Sequence, residues 1–176
     1  RNYMTKKKLI TLILDFIFVI LLIIGDQVTK SAAIANLKGQ ESIKLIDGVL
    51  HLHYLENFGA AFGMLQNQKL FFIFMAAIIL FIILFILVKM PEQKKYNAMH
   101  ICLVLIASGA VGNMIDRVQF GYVVDFIYFI LIDFPIFNVA DIYVTVGTAL
   151  LVIFILFYYK EEDFNFIKFK VKNNNL

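Results

Sequence analysis

The sequence predicts an all-α polytopic membrane protein: four transmembrane helices, a small extracytoplasmic β-hairpin or sheet element, and a periplasmic helix or flap. Three observations predict it. First, 61% of the 176 residues are hydrophobic and only 16% are charged, against about a quarter charged in a soluble domain. Second, four apolar runs are each long enough to cross a hydrocarbon core of ~30 Å as helices. Third, lysines precede the first run, lie between the second and third and follow the fourth, whereas the connection between the third and fourth sets Arg117 against Asp116, Asp125, Asp133 and Asp141. The residues left over are too few for a second folded domain, so residues 1–176 read as a single membrane domain.

The runs are Leu9–Gly25, Leu70–Val88, Met99–Met114 (continuing to Arg117) and Ile142–Tyr159. With their flanks they divide the chain into spans at about 9–25, 70–88, 99–117 and 139–159. An outer β element occupies 31–68, an outer flap segment 118–137 and a tail 160–176. Lys6, Lys7 and Lys8 before the first run also fit a signal peptide. However, the run is long, and Asp26 and Lys30 stand where a small-residue cleavage site belongs. The first run is therefore expected to be retained, with Met4 as the natural start after Arg1-Asn2-Tyr3.

Orientation follows from the short loops. Lys6, Lys7 and Lys8, then Lys89, Lys94 and Lys95, then Lys160, Lys168, Lys170 and Lys172 flank one side. Arg117, Asp116, Asp125, Asp133 and Asp141 flank the other. Both termini of this multi-pass chain are expected in the cytoplasm, with the acid-rich helix ends together on the outer side. The net charge of +3 is a topology signal and calls for no nucleic-acid partner. Cys102, alone and mid-span, reads as packing.

In the outer segment, Ile43-Lys-Leu-Ile46, Asp47-Gly48 and Val49-Leu-His-Leu-His-Tyr54 predict a hairpin with a type I′ turn. Asn57-Phe-Gly-Ala-Ala-Phe-Gly63 follows, where glycines permit close backbone approach. The second outer segment is aromatic, with Phe120, Tyr122, Phe126, Tyr128, Phe129, Phe134 and Phe137, as suits a lipid–water interface. Pro135 ends any helix before it.

The chemistry-bearing residues gather at the outer rim. Asp26 and Lys30 are one helical turn apart and can pair. Asn113 and Asp116 end the third run beside Arg117, where an Asp–Arg pair is the structural reading. Asn138 reads as an N-cap with Asp141 at N3. Asp125 lies in an apolar stretch with no neighbouring cation, which favours its protonated form. Two carboxylates brought together share a proton, the division of labour of an aspartic peptidase. Asp125 and Asp141 fit that role if the connecting segment folds back. Zinc at His51, His53 and Glu56 is the competing chemistry; His100 lies at the opposite end. Asp15, inside the first run, has no assigned role. An ion-coupled small-molecule membrane transporter is the alternative from another class, and it requires acids along a path through the bilayer.

In order, the blocks are Asp26-Gln-Val-Thr-Lys30, Asn57-Phe-Gly-Ala-Ala-Phe-Gly63 and Gly109-Ala-Val-Gly112-Asn113-Met-Ile-Asp116-Arg117. Val123-Val124-Asp125-Phe126 and Phe134-Pro-Ile-Phe-Asn138-Val-Ala140-Asp141 complete the set. Together they resemble the lipoprotein signal peptidase (signal peptidase II) family over nearly the whole chain. The resemblance implies an inner-membrane aspartyl endopeptidase that cleaves lipid-modified prolipoproteins before the diacylglyceryl cysteine. It implies Asp125 and Asp141 as the catalytic pair. Asn57, Gly59, Asn113, Asp116, Arg117, Asn138, Asp26 and Lys30 are implied as substrate-binding or supporting residues. No metal or cofactor is implied. The implied partners are prolipoprotein substrate, membrane lipids and globomycin-type peptide inhibitors, with the chain a monomer. Ser108 and Ile142 depart from the family's common Gly and Ser.

Overall fold

The computed structural model describes residues 5–59 and 64–168. The expected start at Met4, residues 60–63 of the glycine-aromatic block and the tail lysines Lys170 and Lys172 lie outside them. Four helices, α1 (Lys6–Leu37), α2 (Lys69–Lys89), α3 (Asn97–Phe120) and α4 (Val139–Phe157), are long and apolar enough to span a membrane. Phe16, Phe81 and Phe157 stand exposed on their outer faces, as side chains facing lipid do. α3 is the central helix and packs against the other three.

α1 runs well past the predicted end at Gly25. Its 32 residues extend about 48 Å, more than the ~30 Å hydrocarbon core requires. The extension is Ser31-Ala-Ala-Ile-Ala-Asn-Leu37, a helix-forming stretch, so the β element begins only at Ile43. Ala33 and Leu37 on this extension are buried against Val124 and Phe126. The overhang of α1 is thus the wall on which the sheet rests.

The sheet has three antiparallel strands in the order β1 (Ile43–Ile46), β2 (Leu50–Asn57) and β3 (Val123–Tyr128). The predicted hairpin is β1–β2, but its turn is not type I′. That type needs positive φ at both central residues, and only Gly48 has it, at 70°. The third strand comes from the segment expected to be a flap. A 3₁₀ turn, Ile130–Ile132, ends at Asp133 two residues before Pro135.

At the end of the bundle away from the sheet, the buried ammonium of Lys8 donates to Leu87 O at 2.5 Å and Met90 O at 2.6 Å. A cation thereby caps the C-terminus of α2, where the last carbonyls lack intrahelical partners. At the sheet end the helices are joined by charge. Lys30 Nζ lies 2.9 Å from Asp26 Oδ2 and 3.0 Å from Asp116 Oδ2. Asp26, Lys30 and Asp116 are 0%, 2% and 1% exposed, so solvent does not screen them. Gln27, beside Asp26, donates to Asp116 Oδ1 at 2.9 Å and contacts Gly112 O at 3.2 Å.

This junction needs close helix contact. A Cβ on Gly109 would stand 2.3 Å from Ala140 O, and one on Gly112 would stand 2.5 Å from Asp26 Oδ2. Gly109→Ala is therefore expected to destabilise the purified protein by about 1–3 kcal/mol, the cost of an overpacked contact that only backbone movement relieves. Unfolding in detergent checks it. Lys30→Met leaves two buried carboxylates without their cation, with an expected loss of about 3–5 kcal/mol. An unchanged unfolding midpoint for Lys30→Met would show that the ion network does not hold the helices together.

Candidate active site

The polar residues of the sheet end come from five separated segments, and the backbone explains why they meet. β3 pairs with β2 so that Asn57 faces Val123 and Leu55 faces Asp125. The chain then doubles back: Phe126 N and Ile127 N donate to Phe137 O, and Phe137 N donates to Ile127 O. This return delivers Asn138 and the start of α4 to the side of Asp125.

Asn138 caps α4 as expected. Its Oδ1 accepts Asp141 N at 2.9 Å, and its own N donates to Asp141 Oδ2 at 3.1 Å, the reciprocal pair of a capping box. Its carboxamide has a second use. Nδ2 donates to Asp125 Oδ1 at 2.7 Å and to Asn113 Oδ1 at 3.1 Å. A single residue with 0% exposure therefore touches both acids. Asn57 Nδ2 donates to Asp125 Oδ2 at 2.8 Å, and Asn113 Nδ2 donates to Asp141 Oδ1 at 2.7 Å. Each of the four carboxylate oxygens thus accepts one hydrogen bond, which leaves lone pairs for a further partner.

The buried ion network reaches the same two acids through the backbone. Asp26 Oδ1 accepts Ala140 N at 2.9 Å, one residue before Asp141. Asp116 Oδ2 accepts Val124 N at 3.0 Å, one residue before Asp125. Lys30 also donates to Asn113 Oδ1 at 2.9 Å, and so orients the carboxamide that holds Asp141.

Arg117 does not pair with its neighbour Asp116, whose carboxylate is already taken by Lys30, Gln27 and Val124 N. Its guanidinium instead donates to Asn113 O at 3.3 Å and Gly59 O at 3.1 Å, and lies 4.4 Å from the centre of the Phe72 ring. The cation thereby ties the β2–α2 connection to the end of α3, with Asn57 Oδ1 accepting Gly59 N at 2.9 Å.

These groups open into one cavity of about 530 Å³, within the size range of small-molecule and peptide sites. Asp125, Asp141, Asn57, Gly59, Asn113 and Arg117 supply its polar wall. Phe134, Pro135, Ile136, Phe137, Ile142 and Val146 supply the apolar one. Asp26, Lys30 and Asp116 lie behind the cavity rather than in it. Burial, and next the charge of Asp141, pushes the Asp125 carboxyl up to about 7; both causes disfavour its ionised form.

The rival metal set does not converge. Glu56 Oε1 is held by Lys38 Nζ at 2.9 Å, and His53 Nδ1 lies 2.7 Å from Ser42 Oγ. Among the described residues no group of three or more His, Cys, Asp or Glu side chains stands close enough to hold a metal ion. Two neighbours of the named acids carry no role in the sequence reading: Gln27, which joins the two frame acids, and Ile142, which lines the cavity together with Thr145 and Val146. Both lie inside or beside the quoted blocks, and their adjacency to Asp26 and Asp141 was the available signal.

Residues 18–157 match the family described as signal peptidase (SPase) II. The lipoprotein signal peptidase of Streptococcus thermophilus is 48% identical over 145 residues, covering 82% of this chain and 92% of that protein. That of Clostridioides difficile is 43% identical over 144 residues, with 81% and 95% covered. A solved bacterial membrane enzyme obtained by the in meso method superposes with a TM-score of 0.71 at 35% identity, covering 84% of this chain and 92% of that one. With four membrane-spanning helices, a polar site at their sheet end and these likenesses, the chain belongs to the signal peptidase II family of membrane peptidases.

Proposed function

We propose that this peptidase removes signal peptides from diacylglyceryl-modified prolipoproteins by aspartic chemistry at Asp125 and Asp141, cutting just before the lipidated cysteine. One observation carries the reading: a single cavity receives both acids while buried Asn138 holds each of them. The relatives named lipoprotein signal peptidase support the substrate class. The lysine distribution supports an inner-membrane protein with cytoplasmic termini and the cavity at the periplasmic boundary. At that level a lipid anchor and water can meet. Globomycin-type cyclic peptides would occupy the same cavity. The carrier reading needs acids strung through the bilayer, and Asp15 is the one acid of the apolar runs below the rim cluster.

The chemistry starts with Asp125 protonated, as its position near 7 allows. Asp141 takes a proton from water while the water oxygen bonds to the scissile carbonyl carbon, and Asp125 gives its proton to the carbonyl oxygen. In the resulting diol the C–N bond breaks. The leaving amine takes the proton from Asp141, and one hydroxyl returns its proton to Asp125. Asn57, Asn113 and Asn138 fix the carboxyl groups through this cycle, while Arg117 and Gly59 orient the peptide backbone.

Asp125→Asn and Asp141→Asn are each expected to lower cleavage of a lipidated precursor peptide by at least ~100-fold, the scale of one general acid or base. Wild-type rates in either folded variant would overturn the reading. Because Asp125 must enter protonated, kcat/KM is expected to fall as pH rises through about 7. A pH–rate profile still rising there would contradict the assigned direction. A chelator is expected to leave the rate unchanged, whereas a metallopeptidase would lose activity.

A further inference from the structure

A second cavity, of about 590 Å³, lies at the end of the bundle away from the sheet, lined by α1 and α3 alone. Its polar end holds Thr11, Asp15, Asn97 and His100, and its apolar end includes Phe18 and Leu105. Asp15 Oδ2 lies 2.7 Å from His100 Nδ1. Among the described residues, Asp15 Oδ1 and the Asn97 carboxamide have no protein partner. His100 stands one turn above the first residue of α3 and Asp15 two turns above Lys8, so this polar end lies roughly 5–10 Å above that end of the bundle.

The volume is many times that of one water, ~30 Å³, and gives room for part of a larger molecule. A cavity polar at the rim and apolar toward the midplane matches an amphiphile. The free carboxylate oxygen matches a cationic, hydrogen-bond-donating head. Lys7, exposed and one turn before Thr11 on the same helix edge, supplies a cation for a phosphate at the interface. We propose that this cavity binds a phospholipid with a primary-ammonium headgroup from the leaflet at the lysine-rich end. Its ammonium donates to Asp15 and its acyl chain follows Phe18, Leu22 and Leu105.

The test uses the full purified chain in lipid-free detergent. It is titrated with phosphatidylethanolamine, phosphatidylcholine and phosphatidylglycerol, and retained lipid is read by native mass spectrometry. Phosphatidylethanolamine is expected to be retained on the order of tenfold better than phosphatidylcholine, whose quaternary head donates no hydrogen bond. Asp15→Asn is expected to erase that preference. Leu22→Trp, which fills the apolar end and leaves the polar cluster untouched, is expected to lower retention of all three lipids. Equal retention of the three headgroups by the wild type, a preference that survives Asp15→Asn, or retention unaffected by Leu22→Trp would each overturn the proposal.

Discussion

The ammonium of Lys30 sits between two carboxylates and a carboxamide, 2.9 Å from Asp26, 3.0 Å from Asp116 and 2.9 Å from Asn113. Burying these charges carries a desolvation cost that only near-ideal geometry offsets. The geometry is supplied by three helix turns that hardly have another way to pack, since Gly109 and Gly112 leave no room for a side chain. Once fixed, each acid of the network also accepts a backbone amide, Asp26 through the oxygen that Lys30 leaves free and Asp116 through the one that Lys30 shares. Asp26 takes that of Ala140 and Asp116 takes that of Val124. The network therefore sets the positions of the residues immediately before Asp141 and Asp125 without entering the cavity.

This arrangement separates two demands that conflict in a single group. Residues that hold the fold need full pairing, and Lys30, Asp26 and Asp116 have it. Reacting groups need an unspent lone pair and room for water, and each oxygen of Asp125 and Asp141 has a single donor beside an open cavity. Asparagines link the frame to the reacting acids, and those acids to each other, because a carboxamide both donates and accepts. Asn113 accepts from Lys30 and donates to Asp141; Asn138 accepts from Asp141 N and donates to Asp125. No charge is added to the site by either link.

The spans were legible because hydropathy and length are strong constraints on a helix in lipid. The capping role of Asn138 was legible because it is local. What depended on contacts distant in sequence was not. Nothing near Asp116 indicates that Lys30 is its partner, so the adjacent Arg117 looked like the obvious pair. The end of α1 was obscured because Ser31–Leu37 is no longer apolar enough to count as a span, although it remains helical to support the sheet. β3 was hidden in an aromatic segment whose pairing with β2 is non-local. Asp15 gained a partner only when α1 and α3 were placed side by side, with His100 opposite it.

The central claim is that the frame delivers two carboxyl groups into one site with Asp125 carrying the proton. Infrared difference spectroscopy across a pH titration tests it most directly, because a protonated carboxyl and a carboxylate absorb differently. The wild type is expected to show a protonated-carboxyl band that fades as pH rises through about 7 and is missing from Asp125→Asn. A band that persists in Asp125→Asn, or a wild type without any such band below that pH, would contradict the account.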